Sequence, residues 1–162
     1  MAEVPVVLMA SVIAVLAGCA SSTAVEDEPG ALLARQVTQS AHCGLTGPGL
    51  AYVQGADRLQ ALLELPAQNM VVQQLRQVDL TKEHLLFVTL GEKTTGGYSV
   101  SLVSSESNES VLHISVAVRT PAPGTMVTQA VTSPCVVVAV PATNWSEVRV
   151  SGVLDEDLVM KP

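Results

Sequence analysis

The chain has 162 residues, a length typical of one domain, with a formal net charge of −7 and 48% apolar residues. An apolar content this high excludes an intrinsically disordered chain. The sequence has only eight Lys and Arg residues and a pI near 4.8, so it lacks the basic track that binds phosphates. We therefore expect no nucleic-acid partner.

The first predicted element is a lipoprotein signal peptide at residues 1–18. Residues 4–16 form a largely apolar run that is shorter than the roughly 20 residues of a spanning helix and typical of a signal-peptide core. The next residues, LAGC at 16–19, resemble a bacterial lipobox, which implies acylation of Cys19. The alternative is an ordinary secretory signal or a chance Cys after an apolar run. Met1-Ala2-Glu3 lacks the basic residue of a typical signal peptide, so the signal is atypical or the chain starts a few residues away from Met1.

A lipid on Cys19 implies a protein anchored in the bacterial cell envelope. Several acyl chains give stable attachment to a membrane, whereas one chain gives marginal binding. Ala20 follows the Cys, which resembles the default signal for the outer membrane, facing the periplasm. Residues 19–39 begin with small, polar and acidic residues that cannot form a core, so we predict a flexible tether there and one globular domain at 40–162.

Cys43 and Cys135 remain after lipidation, and an even pair in an oxidising compartment is a candidate disulfide. A crosslink over so long a loop is expected to stabilise the fold by roughly 4–5 kcal/mol. Two alternatives stay open: a pair of buried free thiols, and a catalytic Cys beside His42.

Two short helices are predicted before the strands begin. Residues 57–65 place Leu59, Leu62 and Leu63 on one face, with Asp57 as a cap and Pro66 as the stop. Residues 69–77 show a weaker helical pattern.

The second half of the chain has the pattern of a sheet. The clearest strand is 110–119, where Leu112, Ile114, Val116 and Val118 alternate with polar or small residues. Further strands are predicted at 85–90, 97–103, 126–131, 135–140 and 147–153, with a polar hairpin loop at 104–109, a rigid turn at 120–124 and a solvated acidic stretch at 155–157. The predicted fold class is α+β, a mainly antiparallel, sandwich-like sheet with one or two short helices.

No constellation of catalytic residues is recognisable. The sequence has no G-x-S-x-G, HExxH or CxxC motif, and His42, His84 and His113 are scattered without metal-ligand spacing. The glycines at 44–49 have the wrong order for a dinucleotide fingerprint and indicate a turn. We therefore predict no catalytic residue, no metal and no cofactor.

One loop stands out as a candidate partner-binding site. It comprises Lys93, Thr94, Thr95, Gly96, Gly97 and Tyr98, between two predicted strands. A Gly pair permits a tight loop because glycine adopts positive φ without a Cβ penalty. The loop is either a hairpin turn with Tyr98 in the core, or an exposed recognition loop that presents its threonines to a protein partner.

Around this loop the sequence resembles the C-terminal domain of the protease complex subunit PrcB family. The resemblance lies in LLFVTLGEKTTGGYSV at 85–100, the Pro-x-Pro-Gly at 121–124, VTQA at 127–130 and SPC at 133–135, and extends over about 79–141. Cys135 stands where the family pattern has an aromatic residue, which favours a link to Cys43. The resemblance implies a small lipoprotein that is a non-catalytic component of a surface protease complex.

A weaker similarity concerns the loop alone. Chagasin-type inhibitors of cysteine proteases carry an N-P-T-T-G-Y loop, which Thr94, Thr95, Gly96 and Tyr98 resemble without the Asn-Pro and with an additional Gly97.

Two hypotheses about function follow from the sequence. The first is an envelope lipoprotein that binds a protein, such as a protease whose complex it assembles or stabilises. The alternative is a protease inhibitor acting through residues 94–98.

Overall fold

The structure, a computed structural model, describes residues 33–162. The predicted signal peptide, Cys19 and most of the predicted tether lie outside these residues. Within the described range no helix is both long enough and apolar enough to cross a membrane.

The described residues form eight strands and two short helices. In chain order these are β1 (Arg35–Ser40), β2 (Pro48–Val53), α1 (Ala56–Leu63), α2 (Val72–Arg76), β3 (Glu83–Leu90), β4 (Ser99–Asn108), β5 (Val111–Arg119), β6 (Cys135–Pro141), β7 (Glu147–Ser151) and β8 (Leu158–Met160). One sheet has the order β1-β6-β3-β2 and the other β4-β5-β7-β8. All pairs are antiparallel except β5–β7, so the predicted α+β, mainly antiparallel sandwich with short helices is confirmed.

Three layers bury two apolar clusters. The first cluster lies between the sheets and includes Leu86, Ile114 and Val138. The second lies between the helices and the outer face of the first sheet, and includes Leu59, Phe87 and Val137. Strands β3 and β6 therefore have both faces covered, which explains why their sequences are almost continuously apolar instead of alternating.

Among residues 33–162, the second sheet is covered on one face only, and its strands show the corresponding alternation of apolar and polar residues. In β5, Leu112, Ile114 and Val116 are buried, while His113 and Ser115 on the opposite face are half-buried. The period-two pattern predicted for this strand is confirmed.

The folded domain begins before residue 40. Strand β1 starts at Arg35 and pairs with β6, and Ala34 is fully buried with its N–H donating to Ser105 Oγ over 2.8 Å. The predicted tether boundary at residue 39 is therefore too late. Strand β1 lies at the edge of the first sheet and has a mostly polar sequence. It forms a strand because it pairs with β6, which is distant in the sequence.

Three other predicted elements differ from the structure. Helix α1 begins after Gly55, and Asp57 provides no side-chain cap. Residues 104–108 belong to β4 instead of a hairpin loop, because β4 continues past a register shift between Leu102 and Ser104 along its partner β5. Residues 126–131 form no strand, since none of the strands between residues 33 and 162 pairs with them.

Two short strands were also missing from the prediction. Pro48 and Gly49, interpreted as part of a turn, begin β2. The acidic residues 155–157 are exposed, as predicted, but the chain then returns to the sheet as β8.

A half-buried Tyr52–His84 pair makes stability depend on pH. Tyr52 Oη lies 3.0 Å from His84 Nδ1, burial raises the pKa of Tyr52 to about 12, and desolvation lowers the pKa of His84. His84 therefore binds a proton more weakly in the folded than in the unfolded chain, and unfolding takes up protons below the ordinary His pKa of about 6.5. We expect the free energy of unfolding to fall as the pH drops from about 7 to 5.5.

Urea titrations across this pH range measure the effect. The substitution His84→Gln should flatten the dependence. An identical slope in the His84→Gln variant would contradict the assignment.

Candidate functional site at the loop end of the sandwich

The sandwich has two ends, which we call the entry end and the loop end. At the entry end, β1 begins at Arg35, whose guanidinium pairs with Glu83 at the start of β3 over 2.6 Å. At the loop end, β3 and β5 finish and β4 and β6 begin. Two connections between the sheets therefore lie at the loop end. They are the 93–98 loop, between β3 and β4, and the segment at 120–131, between β5 and β6.

The 93–98 loop is a crossover between sheets. It links β3 of the first sheet to β4 of the second, so the hairpin interpretation was wrong. A hairpin would have required the two strands to be neighbours in one sheet. The polypeptide instead passes over the end of the inter-sheet core.

Hydrogen bonds fix the loop from the side of residues 128–132. The N–H of Lys93 donates to the Thr132 carbonyl over 2.8 Å, and the Thr132 N–H donates back over 2.9 Å. Thr132 Oγ1 donates to the Thr95 carbonyl, and the Gly96 N–H donates to the Thr128 carbonyl, each over 2.9 Å. Gly96 is consequently buried, and Thr94 and Gly97 are the loop residues most open to solvent.

Tyr98 connects the loop to the core. Its side chain is half-buried against the inter-sheet cluster, and Lys93 Nζ lies 5.7 Å from the centre of its ring, within range of a cation–π attraction. The ring is thus held from both sides, with one part in the core and one part at the surface.

An open groove of about 590 Å³ lies at the loop end, lined by the end of the 93–98 loop, the end of β5 and residues 120–128. Its lining includes Gly97, Tyr98, Arg119, Pro121 and Met126. Arg119 is exposed and forms no ion pair with any residue from 33 to 162. A second depression of about 240 Å³ lies on the other side of Tyr98 and includes Lys93 and Leu154. The arrangement offers an aromatic ring, a free guanidinium and apolar side chains to a polypeptide partner, which are the types enriched where proteins bind each other.

The groove and both of its walls lie inside a segment that has known relatives. Residues 85–141 match the PrcB C-terminal family model. The resemblance predicted from the sequence is confirmed over these residues, which run from β3 to β6 and make up about a third of the chain. No curated protein and no solved structure gives a significant match.

Within the PrcB C-terminal match, the glycine pair has two different roles. Gly97 has a φ of +89°, and a Cβ there would lie 3.0 Å from Val127 Cγ1. Gly96 lies outside the positive-φ region, and a Cβ there would meet Thr128 Cβ at an ordinary 3.4 Å. The glycine that requires positive φ is therefore Gly97.

We expect Gly97→Ala to lower the free energy of unfolding by about 1–2 kcal/mol, because the added Cβ is strained at positive φ. Gly96→Ala, the adjacent control, should cost less, because Gly96 lies outside the positive-φ region and its added Cβ meets Thr128 at an ordinary distance. Denaturant titration of both variants measures the difference, and equal losses would show that backbone conformation does not distinguish them.

Cys43 and Cys135 form a disulfide in the structure, at the start of strand β6. Their Cα atoms are 6.1 Å apart, and the residues are 0% and 1% exposed. Ser133 Oγ accepts hydrogen bonds from the N–H groups of Cys43 and Gly44, each over 3.0 Å. The bond thus attaches the chain after β1 to the loop end. A sulfur in a disulfide is no thiolate, so neither residue is a nucleophile in this state.

The histidines are not brought together. His42 follows β1, His84 pairs with Tyr52, and His113 lies on the outer face of the second sheet between Glu106 and Arg149. Across residues 33–162 the structure contains no cluster of His, Cys, Asp or Glu that could hold a metal ion.

Sequence reasoning missed Arg119 and Met126 as surface residues of the site. Arg119 carried a signal, since it follows an alternating strand and precedes a rigid Pro-containing turn.

Proposed function

We propose that this protein is a non-catalytic subunit of the cell envelope that binds a protein partner through the groove at its loop end. The proposed partner is a component of a protease complex, which the subunit assembles or stabilises. The proposal includes an anchor at Cys19, with the domain in the periplasm and attached to the outer membrane.

The match to the PrcB C-terminal family supports the protease-complex part of this proposal. The resemblance implies a component of a surface protease complex, and the match contains the whole groove wall from Tyr98 to Thr128. The disulfide between Cys43 and Cys135 supports a binding role over thiol chemistry.

The position of the groove is the observation that carries the proposal. The chain enters the domain at Ala34, at the entry end, and the groove lies at the loop end. The eight residues of β3 separate the two ends, a distance of roughly 25 Å at about 3.3 Å per residue. The point at which the chain enters the domain is therefore far from the groove.

Inhibition of a protease through residues 94–98 has weaker support. Gly96 is buried against Thr128, and the Thr95 carbonyl already accepts a hydrogen bond from Thr132. A loop in this position offers few free groups for insertion into a cleft.

Charge reversal in the groove tests the proposed function. We expect Arg119→Glu to reduce the amount of partner that co-purifies with the full chain from its native envelope by about tenfold, since it places the wrong charge in the interface. Arg58→Glu is the matched control, because Arg58 is an exposed cation on α1, in the helical layer. Quantitative mass spectrometry of the captured proteins measures both variants. Capture of the same proteins in equal amounts by the two variants would contradict a role for the groove.

A further inference from the structure

Met126 is displayed to solvent to an unusual degree. Its exposed fraction is 98%, against 61% for Val131, the next most exposed large apolar residue of the described range. An unbranched, polarizable thioether is well suited to fill a pocket on another molecule. Exposure alone does not make a site, because single apolar residues are common on protein surfaces.

The backbone of Met126 is also free. Neither its N–H nor its C=O forms a hydrogen bond with another residue of 33–162. Immediately before it, the Thr125 N–H donates to the Ala122 carbonyl over 3.1 Å in a turn that contains Gly124 at a φ of +78°. Immediately after it, Val127 packs near Gly97, and the Thr128 carbonyl accepts from Gly96. Met126 therefore lies between two stretches of chain that are each held in place.

This combination matches a particular kind of partner. An endopeptidase cleft recognises both kinds of group, because it pairs with the substrate backbone, places one carbonyl in the oxyanion hole and takes a side chain into its specificity pocket. The segment from Thr120 to Val131 contains no charged residue, which suits an apolar specificity pocket. Because the segment is held in place before binding, little conformational entropy is lost on association.

We propose that residues 122–128 bind in the active-site cleft of an endopeptidase as a substrate-like, non-covalent inhibitory segment, with Met126 in an apolar primary specificity pocket. The inference rests on the proposed function insofar as the partner is a protease. It adds the residue that is recognised and the part of the protease that recognises it.

A specificity switch tests the inference. The full-length protein in detergent micelles is assayed against chymotrypsin, whose specificity pocket is apolar, and trypsin, whose pocket carries an Asp. We expect competitive inhibition of chymotrypsin by the parent protein, and inhibition of trypsin instead by Met126→Lys. Met126→Asp should raise the inhibition constant for chymotrypsin at least about 30-fold, as loss of a buried anchor residue does. Val159→Lys, at a half-exposed position on β8, is the matched control and should behave like the parent.

The outcomes separate this inference from the proposed function. Failure of the parent to inhibit chymotrypsin together with failure of Met126→Lys to inhibit trypsin would overturn the inference, as would undiminished inhibition by Met126→Asp. Loss of partner capture in Arg119→Glu alongside either result would leave the proposed function standing, with a partner that docks outside its own active site. Since Met126 is fully exposed, its variants are expected to keep the melting temperature of the parent, which a thermal scan verifies.

Discussion

Replacing Cys43 by Ala is expected to lower the free energy of unfolding by roughly 4–5 kcal/mol under oxidising conditions. The disulfide with Cys135 joins residues separated by 92 positions, so it removes much of the freedom of the unfolded chain. Ala is chosen because it introduces no buried hydroxyl. The corresponding decrease in melting temperature is about 15 °C for a domain of this size.

The control for this experiment is chemical reduction. Dithiothreitol should lower the stability of the parent to that of the variant, and should leave the Cys43→Ala, Cys135→Ala double variant unaffected. A thiol titration of the oxidised, unfolded parent should find neither Cys43 nor Cys135 reactive. Melting of the parent and the variant at the same temperature before reduction would contradict the crosslink.

Replacing Phe87 by Ala is expected to cost about 3–5 kcal/mol, the range for removing an aromatic side chain from a core. Phe87 is the only Phe of the chain and is fully buried, and its side chain lies in the cluster between the first sheet and the helices. Deleting the ring leaves a cavity that the surrounding Val and Leu side chains fill only in part.

Met126→Ala is the matched control, because it also removes a large apolar side chain, from a position that is 98% exposed. Urea denaturation of the two variants measures the difference in unfolding free energy. If Phe87→Ala lost no more stability than Met126→Ala, the helical layer would not cover β3 as described.

Local sequence patterns predicted the elements whose order is locally encoded. The alternation of β5 and the apolar run of β3 are properties of their own residues, and both strands were placed within two residues of their observed starts. The apolar face of α1 was identified for the same reason.

Elements that depend on distant partners could not be predicted in this way. Strand β1 has a polar sequence and β2 begins with Pro48-Gly49, and each becomes a strand only because β6 or β3 lies beside it. Conversely, residues 126–131 have the composition of a strand, but no strand in the described part of the chain pairs with them. Long-range pairing, which a single sequence does not display, decided all three cases.

The candidate functional site also has one part that the sequence predicted and one part that it did not. The glycines and threonines of 93–98 identified the loop as special, because positive φ and small side chains leave a trace in the sequence. The 120–131 segment, which lines the other part of the groove, has no such trace in its sequence. Met126 was assigned to a strand, and its exposure follows from the path of this segment across the loop end.

Amine-reactive crosslinking in the native envelope, followed by mass spectrometry, tests the central claim most directly, since the three lysines of the chain sample both ends of the domain. Lys93 lies beside Tyr98 at the loop end, whereas Lys82 precedes β3 and Lys161 follows β8 at the entry end. We predict that crosslinks to the protein partner start from Lys93, and that Arg119→Glu diminishes them. Crosslinks to the partner from Lys82 and Lys161 with none from Lys93 would contradict binding at the loop end.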